Sequence, residues 1–479
     1  MKKAITAILL FVFTAFLFCV SAYAEDSSPG SVYYIDAENG SDENSGLSEN
    51  EAWRTLSRIC ENEGEIKPGD TILLKRGQTF EGGIKMPAGG DEGKPVTLSA
   101  YGEGEKPLIT DDNEYVILLF FVDVSYWNIS DLRFSTPRGC AIYFMAGDED
   151  VSHITVSDCD FFDISKEELE EINTFFSAIN INNAERDSRV HNIEIIRITV
   201  RDCAYGIHSN GNDDEGFDVV QNPETDYNYS IHITDSVFEN CRAGAVIFGA
   251  CYLLTAENCL IKDCATNPNF ACAPIWFRHC DSCVVDHCEI SGSTNRQDGM
   301  TVDFDGWTTN CTYQYIYSHD NNRFLKNCLY DRFTRNAGNS VKHCLSVNDN
   351  ISRNLANTPL IVVKNFFGMA LGMKDFTFEN NTLVNIQPVH FDMLWNMNIS
   401  NNIIIGKKET KWLTFFTNFT ALMSFGKMEN NCFYDYCAPF NAKNSVTQNP
   451  GLDGNYVSAQ YPSLGALDGT NYVGCRLEY

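Results

Sequence analysis

Glu257-Asn258-Cys259, Asp286-His287-Cys288, Lys342-His343-Cys344, Glu379-Asn380-Asn381, Ser400-Asn401-Asn402 and Glu429-Asn430-Asn431 repeat one short pattern. A polar residue is followed by Asn or His, then Asn or Cys, then an apolar run; Ser157-Asp158-Cys159 is an earlier copy. Copies lie 29 residues apart from Glu257 to Asp286, 21 from Glu379 to Ser400, and 29 from Ser400 to Glu429. A period in this range is that of a solenoid, whose repeats bury their faces only against their neighbours. Between copies come runs of four to six residues rich in Ile, Val, Phe and Tyr, too short for helices and of β-favouring type. Asn tolerates the left-handed backbone region that sharp corners need. About three short strands per turn with Asn at the corners predicts an all-β chain wound as a parallel β-helix.

Working outward, residues 1–24 read as a secretory signal. Lys2 and Lys3 precede an apolar run from Ala4 to Val20, and Ala22-Tyr23-Ala24 supplies a small-x-small cleavage site. Residues 25–114 are expected to form an N-terminal cap and the first rungs, with a strand at 32–36, a polar loop at 40–50 and a short helix around 51–62. Residues 115–440 carry the β-helix, and 441–479 form a tail packed along its outside. Ser165-Lys166-Glu167-Glu168 has the pattern of a capping box opening a short helix toward Asn173. Residues 211–229 form an acidic insertion, and extra length in a repeat maps to loops, often on a binding face.

The chain has 479 residues and a net charge of −29. Such a surface repels nucleic acid and anionic membranes, which excludes both as partners and suits a secreted, soluble monomer. It carries 19 cysteines. Many occupy one repeat position, and they read as small interior residues rather than a disulfide scaffold. His279-Cys280-Asp281-Ser282-Cys283 with His287-Cys288 has spacing that zinc accepts, but Cys288 falls on the interior column, so stacking is the expected role. Asp42-Glu43-Asn44-Ser45-Gly46 resembles half a calcium loop without the closing Glu and reads as a turn.

The opening Tyr33-Tyr34-Ile35-Asp36, Gly40-Ser41-Asp42, Asn44-Ser45-Gly46 and Trp53-Arg54-Thr55-Leu56 resembles the start of many secreted bacterial right-handed parallel β-helix proteins of the pectate-lyase-like superfamily. Asp298-Gly299-Met300-Thr301-Val302-Asp303-Phe304-Asp305, with Cys311 to Tyr315 and Ser318-His319-Asp320-Asn321, is similar to a signature of their carbohydrate-active members, nearest the fucosidase- and xylanase-type glycoside hydrolases. Those members usually follow His-Asp-Asn with glycines; here Asn322-Arg323-Phe324 follows. The resemblance implies a right-handed solenoid and a polysaccharide or oligosaccharide substrate.

A groove can be placed by aligning Ala141-Ile142, Ala178-Ile179, Gly206-Ile207, Ala245-Val246, Pro274-Ile275 and Gly299-Met300 as strand starts. Alternation then turns outward Tyr143, Asn180, His208, Ile247, Trp276 and Thr301, and two residues on Met145, Asn182, Asn210, Gly249, Arg278 and Asp303, with Asp305 extending the last row. Later turns add His390 and Asp392. An indole stacks on a sugar ring, while amides and carboxylates bond its hydroxyls, so Trp276, Arg278, His208, Asn210, Asn182, His319 and Asn321 are candidate sugar contacts.

Asp303 and Asp305, two apart on a strand, share a face about 6–7 Å apart at Cβ. Glycoside hydrolysis uses two carboxyl groups, about 5–5.5 Å apart when retaining and about 6.5–9.5 Å when inverting. Asp298 and Asp320 are further candidates for the second carboxyl. The expected activity is hydrolysis of a plant-type or other complex polysaccharide, for which no cofactor is required. Two alternatives stand beside it. One is a polysaccharide lyase with calcium held by Asp298, Asp303, Asp305 and Asp320. The other is a glycan-binding surface protein without catalysis.

Overall fold

A computed structural model describes residues 30–452 apart from 62–65, 114–115, 167–169, 171–172, 174, 184–186, 212–225, 330–334, 350–360, 366–372, 387–388, 392–395, 407–425 and 436–442. The expected signal, most of the helix toward Asn173, most of the acidic insertion, Asp392 and the tail beyond 452 therefore lie outside the described residues; Ser165, expected to cap that helix, is instead a left-handed turn residue whose Oγ bonds the Gly139 backbone. The chain is the parallel β-helix expected: three long sheets of 15, 11 and 13 strands, each built of parallel neighbours, run the length of the described residues. One rung takes Trp127–Ser130 in the first sheet, Arg133–Ser135 in the third and Gly139–Ala146 in the second before Val151–Ser157 starts the next. No helix among the described residues is long and apolar enough to cross a membrane.

The opening repeat is one corner of this coil. Its middle residues Asp158, Asn258, His287, His343, Asn380, Asn401 and Asn430 all have positive φ, between 47° and 59°. Asn, Asp and His are the non-glycine residues that enter this region at least cost, which is why they recur there. The next residue turns inward. Cys159, Cys259, Cys288 and Cys344 are buried and give way to Asn381, Asn402 and Asn431. The backbone N–H of Cys344 donates to Asn381 Oδ1 at 2.9 Å, that of Asn381 to Asn402 Oδ1 at 2.9 Å, and that of Asn402 to Asn431 Oδ1 at 2.9 Å. The amides satisfy corner N–H groups that a buried backbone would otherwise leave unpaired.

A second corner, between the third and second sheets, has its own left-handed column: Asp163, Asp202, Asn240, Asp263, Asp320 and Asn348, with φ from 53° to 58°. Inside it stand Cys203, Cys241, Cys264, Ser293, Asn321 and Asp349, all buried. Asp349 accepts from Ser318 Oγ and Ser346 Oγ at 2.6 Å each and from the Asn321 N–H at 3.0 Å. Apolar residues fill the remainder as one continuous core from Tyr33 to Phe433. Phe134 stacks on Phe161 with centroids 5.0 Å apart, and Phe248 on Phe277 at 5.4 Å. Each such ring contributes roughly 1.5–3 kcal/mol by leaving water.

The N-terminal cap places Trp53, fully buried, against Tyr33 at 4.7 Å. Its helical content is slight: a 3-10 turn at Glu49–Glu51 and one α turn at Arg58–Glu61 stand where a helix over 51–62 was expected. Asp42 is occupied by the N–H groups of Arg54 and Thr55 and the Thr55 hydroxyl, so it closes a turn. Cys280, Cys283 and Cys288 are interior while His287 stacks on Tyr315 at 4.7 Å. Among the described residues no group of three His, Cys, Asp or Glu is arranged to hold a metal ion.

Candidate active site

The second sheet presents the outward rows. Tyr143 pairs with Asn180, Asn180 with His208, His208 with Ile247, and Ile247 with Trp276. Asn182 lies beside Asn210, and Gly249 beside Arg278. To this point the register matches the expectation. At the next rung it differs by two residues: Phe277 pairs with Phe304, which places Asp303 beside Trp276 and Asp305 beside Arg278. Thr301, expected next to Trp276, instead bonds Ser318 Oγ at 2.6 Å and accepts from Asn321 Nδ2 at 3.0 Å. The cause is Gly299. It was aligned as a strand start, but it sits at φ +58° in a corner where an added Cβ would lie 2.4 Å from Asn295 O. This joint has one residue pair in register, the fewest between neighbouring strands of the sheet.

The residue missing from the sequence reading is Lys326. On strand Arg323–Leu329 it pairs with Asp303. Its Nζ lies 2.9 Å from Asp298 Oδ1 and 3.7 Å from Asp305 Oδ1. The three side chains are only 17%, 15% and 12% exposed for Asp298, Lys326 and Asp305. The nearest oxygens of the two carboxyls are therefore no more than about 6.6 Å apart. Asp298 reaches this position from a fixed loop: Asn295 Oδ1 accepts the N–H groups of Gln297 and Asp298 at 2.9 and 2.8 Å.

Asp303, 2% exposed, lies deeper, and its Oδ1 has no hydrogen-bond partner. Burial first, then the neighbouring Asp305 charge, pushes its carboxyl well above the ordinary aspartate range, against the pull of Lys326. Arg323 contributes a further cation, its guanidinium donating to Gln297 O at 2.9 Å.

On the other side of Asp303 and Asp305 a cavity of about 230 Å³ is lined by Tyr205, His208, Asn210, Phe270, Trp276 and Arg278, among others. Cys272 also lines it and feels the charge of Asp298, which ties the cavity to the carboxyl cluster. Burial first, then Arg278, lowers His208 to about 3, so the imidazole is neutral. Asn182, one rung beyond His208 and Asn210, donates to Tyr143 Oη at 3.1 Å.

The remaining candidates are not part of this cluster. Asn321 is fully buried and bonds Ile290 O at 2.8 Å and its corner column, so it cannot touch a ligand on the surface. His319 belongs to the third sheet, between Glu289 at 3.2 Å and Asp320 at 2.9 Å. Asp320 is a corner residue with its side chain 57% exposed. A calcium site from four aspartates is thus not assembled, and the Lys326 ammonium stands between Asp298 and Asp305 where such an ion would sit. His390 lies on a strand of the same sheet, two rungs beyond Lys326.

No family model matches the chain. A 94-residue stretch, 19% of the chain, is 36% identical to lacto-N-biosidase of Bifidobacterium longum subsp. longum, and spans 6% of that much longer protein. The crystal structure of a GH136 lacto-N-biosidase from Eubacterium ramulus superposes with a TM-score of 0.60 at 19% identity, covering 74% of this chain and 64% of that one. Its selenomethionine derivative gives 0.59 at 18% identity, covering 80% and 68%. The fold is shared with these proteins.

Proposed function

We propose that the chain is a carbohydrate-active enzyme, a secreted glycoside hydrolase that cleaves an oligosaccharide or polysaccharide in the groove of the second sheet. The observation that carries this reading is the carboxyl pair Asp298 and Asp305 held on either side of Lys326, with Asp303 behind them. A separation of at most about 6.6 Å admits the roughly 5–5.5 Å of retaining enzymes and barely reaches the inverting range. Asp298, ion-paired at 2.9 Å, is suited to attack the anomeric carbon as a carboxylate. The Asp303–Asp305 pair carries the acid proton, and Asp305, the less buried of the two, delivers it to the leaving oxygen. Water, deprotonated by the same pair, then displaces the sugar from Asp298 and restores both carboxyls. The local likeness to a lacto-N-biosidase supports a sugar-cleaving role without naming the sugar of this chain.

A second reading, elimination beside a uronate, draws support from the cations Lys326 and Arg278 in the groove. One experiment separates the two. The purified chain and its Asp305→Asn variant are offered a broad glycan panel, scored for reducing ends and for ultraviolet-absorbing unsaturated products. Reducing ends without unsaturation, lost in the variant, support hydrolysis. Unsaturated products would replace it with elimination, and retention of glycans with no release by either protein would make the chain a binding module.

A further inference from the structure

The cavity beside Trp276 has a polarity that the reading of the groove leaves unexplained. Its polar lining consists mostly of donors. The Trp276 indole N–H can only donate and has no partner among the described residues. The Tyr205 hydroxyl, on a residue 1% exposed, has no acceptor there. His208, 7% exposed, presents an unpartnered Nδ1, and Arg278 adds a guanidinium to the same wall. No carboxylate lines the space; Asn210 adds an amide with both donor and acceptor, and the other walls are Ala243, Ile247, Phe270, Ala271 and Cys272.

A neutral sugar offers hydroxyls that both donate and accept, so it needs a mixed wall. This wall, with the donor-only Trp276 and Arg278 and fewer acceptors than donors, favours a group rich in acceptors. The surrounding charge points the same way. Arg278, Lys326 and Arg323 face Asp298 and Asp305, while Asp303 holds its proton. On a chain of net charge −29, this groove gathers three cationic side chains.

We propose that the cavity is a subsite for one acidic sugar, whose carboxylate or sulfate oxygens accept from Trp276, Tyr205, His208 and Arg278 while its ring lies on the Phe270 and Trp276 side. The inference rests on the groove being a sugar site but not on hydrolysis. It places the acidic residue of the substrate next to the cleaved bond, on the side away from Lys326.

Binding tests this directly. The full chain carrying Asp305→Asn is titrated, by calorimetry and tryptophan fluorescence, with glucuronate, galacturonate, galactose 6-sulfate, glucose, galactose and N-acetylglucosamine. The acidic sugars are expected to bind at least about tenfold more tightly than their neutral counterparts, with the advantage shrinking at high salt. The uronates against the sulfate ester identify which oxyanion is taken. Tyr205→Phe is expected to weaken acidic-sugar binding about tenfold while binding of the neutral sugars changes little. Arg278→Met is expected to abolish the preference. Equal or tighter binding of any neutral sugar overturns the proposal even if the chain hydrolyses neutral glycans. Tight uronate binding sustains it even if no glycan is cleaved, and binding of none of the six overturns the subsite itself.

Discussion

Asp349→Asn should make the protein more stable at neutral pH, and the gain should vanish in acid. Asp349 is fully buried in the column inside the second corner, where burial outweighs its hydrogen bonds and raises the carboxyl to about 6 from an ordinary value near 3.8. A carboxyl whose folded pKa is raised binds its proton more tightly in the native state. Its contribution is fully present below the unfolded value and is lost as pH rises through about 6. Two units correspond to about 3 kcal/mol, spent between roughly pH 4 and pH 6. The amide keeps the oxygen that accepts from the Asn321 N–H, and its NH₂ can donate to Ser318 and Ser346, whose hydroxyls rotate to accept. Allowing about 1 kcal/mol for fitting an amide in place of the neutral carboxyl leaves a gain of about 2 kcal/mol at pH 7. For a chain of this length that is only roughly 2 °C in midpoint temperature, so urea unfolding at pH 4, 5, 6 and 7 is the better assay. A difference between the two proteins that stays constant across these pH values would refute the reasoning, because a pH-independent effect cannot come from this proton.

Further outcomes follow from the same contacts. Asp298→Asn should abolish sugar release and also lower the urea midpoint, because it leaves the Lys326 ammonium without its nearest carboxylate, whereas Asp303→Asn, at a carboxyl whose burial raises it well above the ordinary range, should lower turnover less than Asp305→Asn; steady-state kinetics on one substrate ranks the three. Lys326→Met should reduce turnover far more than Lys326→Arg, because arginine retains a cation between Asp298 and Asp305; a comparison of kcat and KM for the pair checks it. Asn402→Ala should cost roughly 2–4 kcal/mol, since it strips an acceptor from the Asn381 N–H and donors from Phe378 O and Asn431 Oδ1; urea unfolding reads this directly.

The corners were legible because backbone geometry restricts residue type. A left-handed position shows itself as a column of Asn, Asp and His wherever the chain turns. The same rule produced the errors at Asp320 and Asn321. Both match the chemistry of a sugar site, yet the second corner demands those residue types for its φ angle and its interior hydrogen bonds. Strand parity was legible as well, since alternation correctly turned Asp303, Asp305, Trp276 and Arg278 to the outside. Register was not. Glycine starts strands at Gly206 but fills a corner at Gly299, and nothing in a single sequence separates those uses. Lys326 carries no such signal, because one lysine between Leu325 and Asn327 belongs to no motif. Only the register with Asp303 shows that it is a buried counter-ion, so the site became complete when neighbouring rungs were read together.

The single register pair between Ile275–Arg278 and Met300–Phe304 makes the carboxyl cluster a seam in the stack. Four pairs join the strands on its lower side and four on its upper side, so each flank is zipped more firmly than the joint that holds the chemistry. A coil of this kind bends where its backbone stitching is sparsest. Asp298, Asp303 and Asp305 with Lys326 stand on one lip of that seam, and Trp276 with Arg278 on the other. Any flexing of the solenoid about this joint changes the width of the groove between them while leaving each lip internally rigid, so the groove can widen or narrow while the spacing of the acids is kept.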